Sequence, residues 1–206
     1  EWTEMCHRQS DVSLLVGYAD AMTEYGEYED DTDTSDSQLV LVHDTERPDG
    51  TADVLAERPC VRYHHIRHGS RDDIARVARI VRGASVGVVF GGGGARGFAH
   101  LGVWKALIEA GIPIDHVGGA SIGASIAAGC AMGFTWERLV ELERWVTFER
   151  GSLVDSTFPA VAVARGKRLT DGMRDGYGDA DIRDLWTDFF CVSTDLTEGR
   201  VHVHRS

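Results

Sequence analysis

An α/β fold with a mostly parallel sheet is what this sequence predicts, and three observations predict it. Residues 86–90, Val-Gly-Val-Val-Phe, form a short apolar run of β type that leads straight into Gly91-Gly92-Gly93-Gly94-Ala95-Arg96-Gly97. A segment with Leu101, Trp104, Leu107 and Ile108 at helical spacing follows. Residues 114–118 then give a second short strand, which delivers Gly119-Ala120-Ser121-Ile122-Gly123. Strand, glycine loop, helix, strand, tight turn and helix make a βαβα unit, and such units imply parallel strands joined by right-handed crossovers.

Ahead of this unit, residues 12–16 and 39–42 are short apolar strand candidates. Between them residues 24–36 are acidic and nearly free of apolar side chains, which reads as a solvated, disordered loop spanning about 22–37. A calcium site is not expected there, because the EF-hand register with its glycine and final glutamate is missing. Ser70 is placed to cap a helix over 71–82, with Asp72 and Asp73 in the first turn, Ile74, Val77, Ala78 and Val81 on one face, and Gly83 to end it. Residues 1–83 therefore read as an α/β lead-in that packs against, or extends, the sheet of the main domain over 84–206. His64, His65 and His68 read as polar loop residues before the cap rather than metal ligands, since no carboxylate or cysteine completes a set.

Downstream, residues 136–145 read as an amphipathic helix with Leu139, Leu142 and Val146 inward. Residues 152–168 look irregular and contain Pro159; residues 169–185 look helical in part. Residues 189–193 form a buried strand candidate, and residues 200–204 the next strand of a hairpin, with His202 and His204 on one surface face. Residues 117–134 carry no charge, which raises a membrane-spanning helix. Glycine, alanine and serine dominate the stretch, however, so a buried helix packed closely on a sheet is the better reading.

Composition narrows the function classes. A formal net charge of -12 argues against a nucleic-acid partner, whose binders carry a basic footprint. Cys6, Cys60, Cys130 and Cys191 show no metal-type pairing, and Cys130 and Cys191 lie in apolar runs expected to bury them. With no secretory signal, a reducing, cytoplasmic setting is expected. The chain starts at Glu1 and stops within a strand-like alternation, so both ends read as cut.

The chemistry is concentrated in two glycine motifs. Gly119-x-Ser121-x-Gly123 has the form of a nucleophile elbow, a strand-to-helix turn so tight that Cβ atoms beside the serine would collide. The amides of Gly92, Gly93, Gly94 and Ala95 would then face the oxygen that becomes negative when Ser121 attacks a carbonyl. Arg96 would anchor this loop or meet an anionic head group. The competing reading takes Gly92-x-Gly94-x-x-Gly97 as a dinucleotide fingerprint with Asp115 as the ribose contact. Its weakness is that Asp115 would stand at the wrong end of its strand. A P-loop is not expected, because no Gly-Lys-Ser/Thr follows.

These motifs resemble the patatin-like phospholipases. The similarity is closer still to the neuropathy target esterase branch, through Phe98-Ala99-His100-Leu101-Gly102-Val103, Gly111-Ile112-Pro113-Ile114-Asp115 and Cys191-Val192-Ser193-Thr194-Asp195-Leu196, and through His64-His65-Ile66-Arg67 with the helix after it. The resemblance implies a three-layer α/β/α patatin-like fold, incomplete here at the C-terminus. It also implies hydrolysis of acyl esters in phospholipids or lysophospholipids by a Ser-Asp dyad, with no metal or cofactor. Peripheral contact with the inner face of a membrane and a cyclic-nucleotide-binding module upstream are further implications. One departure stands out. The family's aspartate lies in an Asp-Gly-Gly or Asp-Gly-Ala motif, and the only Asp-Gly pairs after Ser121 are Asp171-Gly172 and Asp175-Gly176. Neither fits, and Asp195 matches a different family phrase. The expectation is a chain with the nucleophile and the oxyanion cradle but without the base, inactive or nearly so alone. A degenerate, non-catalytic lipid-binding module is the remaining alternative.

Overall fold

The computed structural model describes residues 2–22, 36–149 and 166–206. The acidic run, up to residue 35, lies outside the described residues, as does most of the stretch read as irregular. Two sheets organise the described chain. The first holds β1 (Leu14–Tyr18), β2 (Gln38–His43) and β3 (Arg62–Arg67), all parallel and in that order. Helix α1 (Trp2–Gln9) precedes it, α2 (Thr51–Glu57) joins β2 to β3, and α3 (Arg71–Val81) follows. The Leu-Val-Leu-Val run of β2 is buried on both faces, as a central parallel strand requires. Leu39 and Leu41 pack with Met22 and Val54 of α2, while Val40 packs with Ile66 and Val77 of α3.

Local signals set the borders of α3. Ser70 Oγ accepts the Asp73 N–H at 3.2 Å, the acidic pair occupies the first turn, and Gly83 takes up φ 70° just past the end. The histidines before it correct the loop reading. His64 and His65 belong to β3 and are buried, so His64 shares no helix face with His68. His64 Nε2 lies 2.7 Å from Gln38 Oε1, and His65 Nδ1 lies 2.8 Å from His43 Nε2. The strand is covered on both sides, so its polar residues are enclosed together with its apolar ones.

The second sheet has the order β4 (Gly87–Phe90), β5 (His116–Gly119), β6 (Asp188–Asp195) and β7 (Arg200–Arg205). It is parallel except for the β6–β7 hairpin. A 3₁₀ turn (Gly94–Phe98) and α4 (Ala99–Glu109) link β4 to β5. Then come α5 (Ile122–Ala131), α6 (Trp136–Arg144) with a π-helical turn (Trp145–Glu149), α7 (Lys167–Tyr177) and a 3₁₀ turn (Ile182–Asp184). Lys167 and Arg168, read as irregular, are thus helical. Phe90, Val117 and Phe189 share one face of the sheet, and Leu101, Trp104, Ile126, Ala127, Cys130, Ala131 and Leu139 close over it. Cys191, by contrast, is only half-buried.

The charge-free stretch 117–134 resolves into the end of β5, a turn and the ten-residue α5. Among the described residues no helix is long and apolar enough to cross a membrane. The small side chains serve close packing instead: a Cβ added at Gly118 would overlap the Phe190 ring, and one at Gly129 would overlap Leu139.

The first sheet packs against the second unit without extending its sheet. His65 Nε2 donates to the Arg183 carbonyl at 2.7 Å, the Thr51 N–H reaches Asp184 Oδ1 at 3.0 Å, and the Arg67 guanidinium lies 4.0 Å over the Trp186 ring. At the other end Arg79 of α3 pairs with Asp115 at 2.6 Å.

Candidate active site

Ser121 ends the β5-to-α5 connection as the N-cap of α5, with φ 54° and ψ -128°. It is the one non-glycine residue with positive φ among the described residues. Such a conformation costs on the order of 1–3 kcal/mol and persists only where the surroundings fix it. Here they do. A Cβ on Gly119 would overlap the backbone of Gly123, and a Cβ on Gly123 would overlap the Phe90 carbonyl. Two glycines let β4, β5 and α5 converge within backbone contact, and the serine between them is left exposed to solvent.

The glycine loop seats on this turn at two points. A Cβ at Gly92 would lie 3.4 Å from Ser121 Cβ, and one at Gly97 would overlap Ile122. Gly94 takes φ 55° where the loop enters its 3₁₀ turn. No hydrogen bond from the N–H groups of Gly92, Gly93 or Gly94 is seen among the described residues. These residues are exposed, and their loop meets Ser121 at Gly92, so amides without an internal acceptor are free to donate to a ligand oxygen. His100 fixes the loop from behind, with Nε2 2.9 Å from the Gly91 carbonyl and its ring 5.2 Å from that of Phe90. The sequence reading missed this contact, whose only trace was a polar residue at the second position of the helix.

Ser121, Gly94 and Ala95 open onto a cavity of about 980 Å³ between α5, α6 and α7. Its walls are mostly apolar, with Phe98, Ile122, Met132, Val146, Leu169 and Phe189 among them. Among the described residues two carboxyl groups line it. Asp179 is exposed and pairs with Arg174 at 2.6 Å. Glu143 is 1% exposed and accepts from Ser125 Oγ at 2.6 Å. Burial pushes its pKa up, against the hydrogen bonds from Ser125 and Tyr177. A glutamate four residues after the buried Leu139 was the sequence signal for this group, and it went unread.

The remaining candidates are placed elsewhere. Asp171 sits in α7 and pairs with Lys167 at 2.7 Å, and Asp175 lines a separate groove with Trp136 and Glu141. Neither lines the cavity of Ser121. Asp195 ends β6 and accepts the Thr197 and Glu198 N–H groups at 2.8 and 3.0 Å, capping the hairpin turn. His202 stands 3.8 Å from it, Glu198 pairs with Arg200, and His204 meets Ser193 at 2.7 Å. Arg96 is exposed, and no ion pair of its guanidinium is seen among the described residues. The anchoring role therefore has no described contact behind it.

Asp115 decides against the dinucleotide alternative. It precedes β5, is 0% exposed, and is bound by Arg79 and by the Val86 N–H at 2.9 Å. Burial pushes its carboxyl up, but the Arg79 and Val86 hydrogen bonds more than offset that and hold its pKa below the usual value. A carboxylate so enclosed has no face left for a ribose.

Comparison with known proteins agrees with this geometry. Residues 88–205 match the patatin-like phospholipase family, and residues 1–85 match the Neuropathy Target Esterase family P-loop like domain. The chain belongs to the patatin-like phospholipases, in their neuropathy target esterase branch. It is 33% identical to "Neuropathy target esterase sws" of Drosophila melanogaster, over 100% of this chain and 17% of that protein. To the protein of the same name in Drosophila mojavensis it is 34% identical, over 100% of this chain and 16% of that protein. The chain thus spans about a sixth of the length of these curated relatives. The patatin-like match holds β4 to β7, and with them the glycine loop and Ser121. The P-loop like match covers the first sheet, which has no lysine, the chain's only two being Lys105 and Lys167.

Proposed function

We propose that this patatin-like chain carries the nucleophile and the oxyanion donors of a serine acyl-ester hydrolase acting on phospholipids or lysophospholipids. The observation that carries the reading is the positive-φ Ser121, exposed at the mouth of a large apolar cavity and packed against loop amides that lack internal partners. In this reading Ser121 Oγ forms a bond to the ester carbonyl carbon, and the oxygen that gains charge turns toward the amides of Gly92, Gly93, Gly94 and Ala95. Each such donor is worth on the order of 3 kcal/mol in serine hydrolases. The N-terminus of α5, directly under Ser121, adds a favourable dipole. The tetrahedral intermediate then expels the alcohol, and water releases the fatty acid from the serine.

The apolar cavity suits an acyl chain, and the exposed Arg96, next in sequence to the cavity-lining Ala95, would suit a phosphate head group. Peripheral membrane contact follows from such a substrate, and a cyclic-nucleotide-binding module upstream from the family resemblance. The base is the aspartate of an Asp-Gly-Gly or Asp-Gly-Ala motif that this chain does not contain. General-base catalysis contributes about 10²–10⁴-fold, so the 206-residue chain alone is expected to turn over esters barely, if at all. The test is fatty-acid release from lysophosphatidylcholine. We expect release near background from the chain alone, and release that depends on Ser121 once a segment with the aspartate motif is fused behind it. Rapid release by the chain alone, lost in Ser121→Ala, would overturn the missing-base account. Lipid retained without release in either form would point to a non-catalytic binding module.

A further inference from the structure

One turn into α5 the nucleophile helix is tied to its neighbours by side chains that the mechanism above does not use. The Ser125 N–H lies 3.3 Å from the Ser121 carbonyl, within the first turn of the helix. Ser125 Oγ donates to Glu143 Oε1 of α6 at 2.6 Å. The Tyr177 hydroxyl of α7 lies 2.9 Å from the Ser125 carbonyl, 2.8 Å from Ser125 Oγ and 3.0 Å from Glu143 Oε1. Three helices therefore meet at one polar point, and all three residues line the cavity onto which Ser121 opens. The rest of α5 is mostly alanine, glycine and isoleucine, which fixes distance by packing but offers little resistance to rotation or sliding. Hydrogen bonds of defined direction do resist it.

Resting on the reading of Ser121 as nucleophile, we propose that Glu143 is a positioning residue for it, clamping the first turn of α5 through Ser125 and Tyr177. A structural filler would not take this form. Glu143 is 1% exposed, and its second oxygen, Oε2, is buried without a hydrogen-bond partner among the described residues. The groups that face it are Ser125 and Cys130 from α5 and Tyr177 from α7; no cation is seen among them. Burial raises its pKa against the hydrogen bonds from Ser125 and Tyr177, which shifts the balance toward the neutral acid. Ionisation would place an unpaired charge beneath the nucleophile turn and work against the clamp.

The test is the rate at which a fluorophosphonate probe labels Ser121, followed from pH 5 to 9, in the chain and in Glu143→Leu, Glu143→Gln and Tyr177→Phe. Misplacing a reacting group by about an ångström can cost up to ~10²-fold. Glu143→Leu is therefore expected to label at least about tenfold more slowly while retaining its circular dichroism. Glu143→Gln, neutral at every pH, is expected to keep the rate within about threefold, since the reacting groups stay in place. It should also lose the fall in rate with rising pH that ionisation of Glu143 is expected to cause in the unmodified chain. If Glu143→Leu fails to fold, Tyr177→Phe, which removes one hydroxyl, is expected to slow labelling and carries the same test. Folded variants that label as fast as the unmodified chain, or identical pH profiles with Glu143 and with Gln, would overturn the clamp and leave the nucleophile standing. No labelling of Ser121 in the unmodified chain, even with a segment carrying the aspartate motif fused behind it, would remove both.

Discussion

Gly123 shows how one missing methyl group organises the site. An added Cβ there would overlap the Phe90 carbonyl and stand 2.7 Å from the Gly91 carbonyl oxygen, both backbone atoms of β4 and its loop. Backbone cannot rotate aside as a side chain can, so the strand, the loop or α5 must move. Overpacking of this kind typically costs about 1–3 kcal/mol. Gly123→Ala should lower the melting temperature by several degrees and sharply slow modification of Ser121, whereas Gly102→Ala, with open space around it, should do neither. Equal melting temperatures for the two variants would contradict the close approach. The glycines on both sides of a serine were legible in the sequence because steric exclusion leaves a residue-level mark. The His100 contact to the Gly91 carbonyl left none, since a histidine in an exposed helix has many uses.

The elements read most easily where one physical requirement dominated. Helix α3 announced itself through its cap, its acidic first turn and its closing glycine. The β2 run could only be a strand covered on both faces. The failure came at β3, Arg-Tyr-His-His-Ile-Arg, where enclosure between α2 and α3 overrode the polarity that suggested a loop. Tyr63 and His65 face one side, His64 and Ile66 the other. A parallel strand buried on both faces gives no polar-apolar alternation to detect. In α6 the inward stripe of Leu139, Leu142 and Val146 was plain, yet Glu143 on the same stripe had no meaning until α5 and α7 were in place. Long-range partners of that kind are set by tertiary packing, which no window of sequence contains.

For the whole molecule, the histidines between the two units set a dependence on acid. His65 donates from Nε2 to the Arg183 carbonyl, so its Nδ1 accepts from His43 Nε2, and this arrangement requires a neutral His65 ring. Burial is the main cause that lowers all three pKa values, with His64 and His65 brought down to about 4. The fold prefers the neutral form, so this stability is present above the ordinary pKa of 6.5 and is lost as pH falls from there toward about 4. A lowering of this size corresponds to on the order of 3 kcal/mol for a single buried histidine. Melting temperature should therefore drop between pH 7 and pH 5, with a smaller slope in His65→Gln. A flat profile, or an unchanged slope in the variant, would show that the interface does not depend on these rings. The two family similarities meet between residues 85 and 88, in the segment between α3 and β4. What joins the units, from His65 to Arg183 and from Arg79 to Asp115, could not be seen before the chain was folded.

The central claim, that Ser121 is a nucleophile presented to a cradle of backbone donors, is tested most directly by peptide mapping. The chain is exposed to a fluorophosphonate probe, and the modified residue is located by mass spectrometry. The account predicts a single adduct on Ser121, absent in Ser121→Ala. An adduct that persists elsewhere in that variant, with Ser121 unmodified in the parent chain, would contradict it.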